Sequence, residues 1–381
     1  MNSSTYNYIA TSAFGLEATV KREVIRLGCE KPRVSDGRID FSGPLSYIPR
    51  ANIRLRSADR VLLVMGEFDA RTFDELFEGA KALPWGELIT EHAKFTVTGK
   101  SVRSTLFSVP DCQAIVKKAV VEKLKQKYNR EWFEETGPEY KIQVALLKDR
   151  ATLTIDTTGP GLHKRGYRDE IPVEAPLKET LAAALIELSF WRKNRILYDP
   201  VCGSGTIPIE AAMMARNIAP GLRRGFVSEG WPQIGEKLWR EERALAHSEI
   251  DTDVVPEIYG SDIDPKAIEF ARHNAEKVGV GDCIKFTVSD VRGARLPGEY
   301  GVAICNPPYG ERIGNFASLA ELYQGMRGLL APDPTWSFYI ITSDEGFEKA
   351  YGKKADAKRK LFNGMIKTDY YQFIGPRPPK V

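Results

Sequence analysis

The sequence predicts an α/β protein whose C-terminal half is a mostly parallel sheet, preceded by two smaller α/β units. Three observations support this fold class. Apolar strands alternate with helices after residue 178, the first 68 residues follow a βαββαβ order, and a segment rich in glycine, proline and charge separates the two patterns. We therefore expect domains at 1–68, 69–158 and 179–381, with a linker at 159–178.

The N-terminal half contains two α/β units. We expect the first unit to be ferredoxin-like. It contains a strand at 6–11, a helix at 14–28, a hairpin turning at the Asp-Gly pair 36–37, a helix at about 44–53 and a strand at 58–68. In the second unit we expect a helix at 72–83, a strand at 94–104, a helix at 113–128 and a hairpin turning at 148–150.

The C-terminal half has the pattern of a parallel sheet. Strands are expected at 195–201, 257–263, 284–290, 300–306 and 336–342, with helices beginning at Thr206, at Pro265, and near 317 and 346. Residues 217–256 interrupt this order, and we interpret them as an insertion on the C-terminal side of the sheet.

Composition excludes several classes of protein. Of the 381 residues, 43% are hydrophobic and 28% charged, so the chain can bury sizeable cores and is not disordered throughout. No apolar run approaches the ~18 residues that span a bilayer, and no secretory signal is visible. Five scattered cysteines and only four histidines disfavour a disulfide framework and a zinc enzyme. We expect a cytoplasmic protein without a membrane or metal partner.

The segment DPVCGSGT at 199–206 follows a predicted strand and opens a helix. Its glycines let the backbone approach a ligand, and the helix N-terminus offers free N–H groups. The segment is not a P-loop, and Pro208 replaces the third glycine of the dinucleotide fingerprint. A plain turn or the S-adenosylmethionine loop of class I methyltransferases remains. The candidate cofactor-binding residues here are Asp199, Cys202, Gly203, Gly205 and Thr206.

Two further strands end in aspartates. Asp262 can accept both hydrogen bonds of a ribose diol, whereas Asp264 precedes Pro265 and is expected to cap a helix. Asp290 can accept the amino group of an adenine, although a loop or capping role is an equal alternative.

The segment NPPY, Asn306 to Tyr309, is the most informative motif. Pro307 and Pro308 fix a loop that cannot continue the sheet. The Asn306 amide oxygen, which also borders the cofactor site, and the Pro307 carbonyl can each accept one N–H of an exocyclic amine, which aims the nitrogen lone pair at a methyl group. Tyr309 can stack on the base. We predict that these four residues form the catalytic site.

The net charge of +3, from 54 basic and 51 acidic side chains, does not by itself indicate a nucleic-acid partner. Cations nevertheless cluster at 50–60, 163–168 and 353–360. A solvated face and a phosphate-binding surface are both consistent with such clusters. The candidate RNA-binding residues are Lys164, Arg165, Arg168, Lys358, Arg359 and Lys360.

The four motifs in this order resemble those of amino-methylating class I methyltransferases, which have a Rossmann-like domain. The upstream half resembles a THUMP domain behind a ferredoxin-like domain. With HKRGYR at 163–168, PLKETLAAAL at 176–185 and the segment 358–373, the whole chain is similar to bacterial 23S rRNA guanine-N2 methyltransferases in single-activity form.

This resemblance implies that S-adenosylmethionine is held at its methionine end by Asp199, Gly203 and Gly205, at its ribose by Asp262 and at its adenine by Asp290. It also implies that the THUMP unit binds RNA.

Several other functions remain to be weighed. A tRNA guanine is the second substrate, because THUMP-containing relatives act on both RNAs. A DNA or RNA adenine-N6 methylase shares the NPPY motif, and an inactive RNA-binding assembly factor shares the architecture. An NAD-dependent oxidoreductase is disfavoured by Pro208 and by the lack of a candidate hydride-site histidine.

Overall fold

The computed structural model describes residues 5–168, 177–308 and 316–379, which divide into two compact units. The first unit contains Lys21–Leu162, Gly225–Leu245 and the N-terminal strand. The second contains Ala13–Val20, His163–Arg224 and the chain from Ala246 onward. Each unit is built on its own seven-stranded sheet.

The first unit confirms the predicted βαββαβ order and continues it. Its helices and strands are β1 (Tyr6–Thr11), α1 (Glu17–Arg26), β2 (Arg33–Ser35), β3 (Arg38–Gly43), α2 (Tyr47–Arg54), β4 (Arg60–Asp69), α3 (Phe73–Ala82), β5 (Lys94–Val102), α4 (Val109–Tyr128), β6 (Glu139–Leu147) and β7 (Arg150–Asp156). The strand order is β2-β3-β1-β4-β7-β6-β5, and among the paired strands only β5 and β6 run parallel. The predicted hairpin turn is confirmed at Lys148 and Asp149, which have φ of 52° and 65°.

Strand β4 joins the two α/β patterns of the first unit. One edge of this ten-residue strand pairs with β1, and the other edge pairs with β7. The two patterns therefore share one continuous sheet. Local sequence patterns do not reveal this, because the pairing joins residues about 90 positions apart.

Residues 225–245 lie in the first unit, which differs from our expectation for the insertion at 217–256. The reason is an aromatic anchor. Trp231 is completely buried, its ring stacks on Tyr140 with centroids 4.5 Å apart, and its indole N–H donates to the Glu139 carbonyl at 2.9 Å. Burying a tryptophan against an aromatic partner is worth several kilocalories per mole.

The second unit confirms all five predicted parallel strands. Its elements, with a helix that begins in the first unit, are α5 (Glu179–Leu188), β8 (Leu197–Asp199), α6 (Thr206–Ala215), α7 (Gly235–Ser248), β9 (Ile258–Asp262), α8 (Pro265–Val278), β10 (Ile284–Val288), β11 (Val302–Cys305), α9 (Phe316–Leu330), β12 (Ser337–Thr342), α10 (Phe347–Tyr351), β13 (Ala357–Asn363) and β14 (Ile366–Phe373). Within the described ranges, no helix has the length and apolar character needed to cross a membrane.

The strand order of this second sheet is β10-β9-β8-β11-β12-β14-β13. The first five strands are parallel, and the β13–β14 hairpin is antiparallel. From β8 to β10, successive strands lie towards one edge of the sheet, whereas β11 and β12 lie on the other side of β8. The order of successive strands therefore reverses between β8 and β11. In open α/β sheets, ligands bind outside the carboxyl ends of the strands at such a switch point.

Candidate active site

Four polar side chains follow adjacent parallel strands at this switch point. In spatial order they are Asp290 after β10, Asp262 at the end of β9, Asp199 at the end of β8 and Asn306 after β11. Because neighbouring strands lie ~4.8 Å apart, these residues form one row along the carboxyl edge of the sheet.

The β8–α6 loop, residues 200–205, is held in a fixed shape. The Cys202 N–H donates to the Ser261 carbonyl at 2.8 Å, and the Gly205 N–H donates to the Cys202 carbonyl at 2.9 Å. Cys202 and Thr206 are buried, and burial raises the pKa of the Cys202 thiol well above its usual value. The loop therefore presents its backbone, and not a reactive thiolate, to a ligand.

The two loop glycines face different surroundings. Gly205 has φ of +78°, and a Cβ there would lie 2.9 Å from Ala271 Cβ and 3.0 Å from Phe286 Cζ. Gly203 has φ of +51°, and a Cβ there would meet no described atom within 4 Å beyond its chain neighbours. Gly205 is thus required by packing, whereas Gly203 borders open space that a ligand can fill.

Asp199 is the most deeply buried member of the row, at 2% exposure. Its Oδ1 accepts the Val201 N–H at 3.2 Å. Burial raises the pKa of this carboxyl well above its usual range, and nearby Asp262 raises it further. A cationic group bound beside Asp199 would stabilise its ionised form, so the residue suits a ligand ammonium group.

Asp262 connects the loop to the end of β9. Its Oδ2 accepts the Gly203 N–H at 2.9 Å, and its Oδ1 accepts the Asp264 N–H at 3.0 Å. Each oxygen retains acceptor capacity for a ligand hydroxyl. The expectation for Asp264 is confirmed: its side chain accepts the Lys266 N–H at 2.9 Å and caps α8, with Pro265 in the first turn.

Asp290 is half-buried and carries a partner that our sequence analysis missed. Arg292 donates its backbone N–H to Oδ1 at 2.9 Å and its Nη2 to Oδ2 at 2.5 Å. The Arg292 guanidinium holds the pKa of Asp290 below its usual value, so this carboxylate is ionised. Arg292 follows Asp290 by two residues in the sequence, and this short spacing is the signal that would have indicated the pair.

Asn306 leaves β11 with an unused acceptor. Its Oδ1 is buried and has no hydrogen-bond partner among the described residues. A buried acceptor without a donor is costly, and a ligand N–H would relieve that cost. Pro307 is buried and Pro308 exposed. Tyr309 lies outside the described residues.

The row fits S-adenosylmethionine better than a phosphate-bearing cofactor. Asp199 and Asp262 lie at the ends of adjacent strands, where they disfavour a phosphate and suit the ammonium group of this molecule. The aspartates of the row also offer acceptor oxygens of the kind that a ribose diol and an adenine amine need, and Gly203 borders open space. The residues present therefore fit the cofactor that the sequence predicts.

The predicted RNA-binding arginines of the 163–168 segment point inward. Arg165 is 3% exposed, and its Nε lies 3.3 Å from Glu210 Oε1. The prediction that Arg165 contacts RNA is wrong, because a buried and paired guanidinium presents no donors to a phosphate. Arg168 is half-buried and pairs with Glu179, whereas Lys164 is exposed.

The second predicted cation cluster lies on β13, the edge strand of the sheet. Lys358, Arg359 and Lys360 are all exposed. The Lys358 ammonium lies 3.8 Å from Asp369 and over the Tyr371 ring at 5.4 Å from its centroid. These side chains are accessible to a large anionic partner, and Lys358 is partly neutralised.

Comparison with known proteins gives three family matches. Residues 165–372 match the RMKL-like methyltransferase domain, 70–156 match the THUMP domain and 7–62 match the RlmL ferredoxin-like domain.

Individual relatives agree with these matches. The putative RNA methyltransferase YpsC of Bacillus subtilis is 51% identical over 370 residues, which cover 97% of this chain and 96% of the relative. A Listeria monocytogenes structure described as a predicted N6-adenine-specific DNA methylase is 51% identical, with a TM-score of 0.93 and coverage of 98% and 97%. The structure of SMU.472, a putative methyltransferase complexed with SAH, is 45% identical, with a TM-score of 0.92 and full coverage of both chains.

Proposed function

The chain belongs to the family of RMKL-like S-adenosylmethionine-dependent methyltransferases, and on that premise we propose that it methylates the exocyclic N2 amine of a guanine in RNA. This proposal rests on the buried Oδ1 of Asn306, which has no hydrogen-bond partner in the part of the chain that the structure describes and lies next to two prolines at the switch point of the sheet. This oxygen awaits an N–H donor, and an exocyclic amine provides one.

The residues of this chain position the amine rather than deprotonate it. The exocyclic nitrogen of a base is a poor nucleophile because its lone pair is delocalised into the ring. Accepting its two N–H groups at Asn306 Oδ1 and at the Pro307 carbonyl localises that lone pair and aims it at the methyl group. We assign to Tyr309 the stacking on the base that the sequence predicts. No general base is needed, because the methylated nitrogen is strongly acidic and loses its proton to water.

We assign the rest of the row to the cofactor, which supplies an electrophilic methyl group when bound. Asp199 accepts the methionine ammonium group, Asp262 the ribose diol and Asp290 the adenine amine. Gly203 and Gly205 let the loop lie close to the methionine portion. Cys202 and Thr206 are buried and stabilise the loop.

We propose 23S rRNA or its precursor particle as the substrate, in the cytoplasm. Two lines support an RNA substrate: the THUMP match at 70–156, and the relative described as a putative RNA methyltransferase. The ferredoxin-like match at 7–62 agrees with the N-terminal domain that the sequence resemblance implies, and 23S rRNA is the substrate implied by that same resemblance. Lys164 and the β13 cations Lys358, Arg359 and Lys360 are the proposed phosphate contacts.

A second candidate is adenine-N6 methylation, because the Listeria relative carries that description and the positioning of an exocyclic amine is the same. A tRNA guanine is the alternative substrate within the first proposal.

The test uses labelled S-adenosylmethionine and total RNA from cells that lack the gene, with Asn306→Ala as the matched control. The RNA is separated by size and each fraction is digested to nucleosides. We expect label as N2-methylguanosine in the large ribosomal RNA with the wild type only. Label in tRNA would show that tRNA, and not 23S rRNA, is the substrate. Label in N6-methyladenosine would refute the guanine assignment. If intact ribosomal precursors are labelled but naked RNA is not, the substrate is a ribonucleoprotein; an absence of label from both would refute the proposal.

A further inference from the structure

The 165–168 segment runs along the first turn of α6, directly after the β8–α6 loop. Its Gly166 has φ of +90°, and a Cβ there would lie 2.9 Å from the Arg223 carbonyl oxygen. Only glycine fits that position without displacing the backbone. The turn at Gly166 lets Arg165 and Arg168 both reach inward.

Arg165 and Arg168 contact α6 at two different residues. Arg165 pairs with Glu210 through Nε–Oε1 and Nη2–Oε2 separations of 3.3 and 3.4 Å. Arg168 donates Nη2 to Thr206 Oγ1. Thr206 and Glu210 are four residues apart on α6 and so share one face of the helix. Two contacts on one face fix both the position and the rotation of the first turn.

Arg168 also ties this turn to the start of α5. Its Nε lies 3.2 Å from Glu179 Oε1, and its Nη2 lies 3.4 Å from the Leu177 carbonyl oxygen. Glu179 is almost fully buried. Burial raises its pKa, while the charge of Arg168 lowers it. The guanidinium therefore stabilises a buried carboxylate and a helix N-terminus at once.

Helix stabilisation alone does not explain this placement. A cation near a helix N-terminus opposes the helix dipole, and Arg168 contacts the first residue of both α5 and α6. A phosphate contact does not explain it either, since Nη2 of Arg168 donates to Leu177 and Thr206 and its guanidinium lies beside the Glu179 carboxylate. The contact between Arg168 and Thr206 instead fixes the position of the residue that follows Gly205.

We propose that Arg168 is a positioning residue for the cofactor: through Thr206 it sets the first turn of α6 and with it the β8–α6 loop. This inference rests on the proposed assignment of that loop to S-adenosylmethionine. Loss of the Thr206 contact lets the loop sample other positions, which lowers cofactor affinity without removing any atom that touches the cofactor.

The test separates positioning from folding by measuring two properties of the full chain. The dissociation constant for S-adenosylhomocysteine is measured by calorimetry, and the midpoint of thermal unfolding is measured without ligand. Arg168→Met leaves Glu179 buried without its nearest cation, so we expect a lower midpoint and at least tenfold weaker binding. Glu179→Gln keeps the Thr206 contact, and we expect binding within about twofold of the wild type.

The double variant Arg168→Met/Glu179→Gln decides between the two roles. Removing both charges leaves no unpaired buried carboxylate, so the midpoint should rise above that of Arg168→Met, yet we expect binding to remain about tenfold weak because Thr206 is still uncontacted. Arg168→Lys, which keeps the charge and can still donate, recovers part of the affinity. Lys193→Met is the matched control, since it removes an exposed cation paired with Asp251 at 3.2 Å, and neither property changes.

Recovery of wild-type affinity in the double variant would show that Arg168 is merely structural and would overturn the inference. Full affinity in a folded Arg168→Met variant would overturn it as well. If the wild type itself does not bind S-adenosylhomocysteine, the proposed cofactor assignment fails first.

Discussion

Replacing the two loop glycines with alanine provides a strong test of where the cofactor lies. Gly203 and Gly205 both have positive φ, at +51° and +78°. An alanine in this region costs about 1–2 kcal/mol at either position. The turn of the β13–β14 hairpin offers a matched control, because Gly364 has φ of +65° and no described atom near its Cβ position.

The two substitutions differ in what the added methyl group meets. At Gly205 it would lie 2.9 Å from Ala271 Cβ and 3.0 Å from Phe286 Cζ, and such overpacking costs about 1–3 kcal/mol more. At Gly203 it would enter open space, so folding bears only the backbone cost. We propose that this space holds the methionine portion of the cofactor, which the methyl group would displace.

We therefore expect Gly203→Ala and Gly364→Ala to lower the midpoint of thermal unfolding by similar amounts, at about 2–4 °C per kcal/mol. Gly205→Ala should lower it further. Calorimetry with S-adenosylhomocysteine should show at least tenfold weaker binding for Gly203→Ala and no change for Gly364→Ala.

Two results would contradict these expectations for the loop. Wild-type affinity in Gly203→Ala would mean that the cofactor does not lie against this glycine. A Gly205→Ala variant as stable as Gly364→Ala would mean that the packing beneath the loop is looser than the distances indicate.

Three further substitutions test other parts of the site. Burial raises the pKa of Asp199, so its contribution to stability is full below the ordinary pKa of aspartate and is lost as pH rises through the raised value. Asp199→Asn should therefore have a higher midpoint of thermal unfolding than the wild type at neutral pH, and the difference should shrink below the ordinary pKa of aspartate. Calorimetry should show that cofactor binding is lost in this variant. Asn306→Ala should lower the single-turnover methylation rate at least about 100-fold and leave S-adenosylhomocysteine affinity nearly intact; loss of both together would contradict its role. Replacing Lys358, Arg359 and Lys360 with alanine should weaken RNA binding in a filter assay and reduce the salt slope by up to about 2–3, whereas an unchanged slope would mean that these cations only face solvent.

Local patterns in the sequence predicted the elements that local physics determines. The parallel strands were visible as apolar runs before turn residues, and the cap at Asp264 was visible from its place before Pro265. The hairpin turn at 148–150 was likewise visible. In each case a few neighbouring residues specify the backbone, so the pattern is enough.

Long-range partners could not be predicted in the same way. The charges of Arg165 and Arg168 suggested a surface, yet their carboxylate partners, Glu210 and Glu179, follow 45 and 11 residues later. Trp231 gave no sign that it would pack on Tyr140. The charged composition of the β13 segment is typical of a solvated loop, so it did not indicate a strand. The segment forms an edge strand because it pairs with β14.

In the proposed reaction, Asn306 positions a guanine amine of ribosomal RNA for methylation. Its most direct test is the N2-methylguanosine content of 23S rRNA, measured by mass spectrometry in cells that lack the gene and in the same cells supplied with wild-type or Asn306→Ala protein. We expect the content to fall without the gene, to return with the wild type and to stay low with Asn306→Ala at equal protein levels. An unchanged content without the gene, or full restoration by Asn306→Ala, would contradict it.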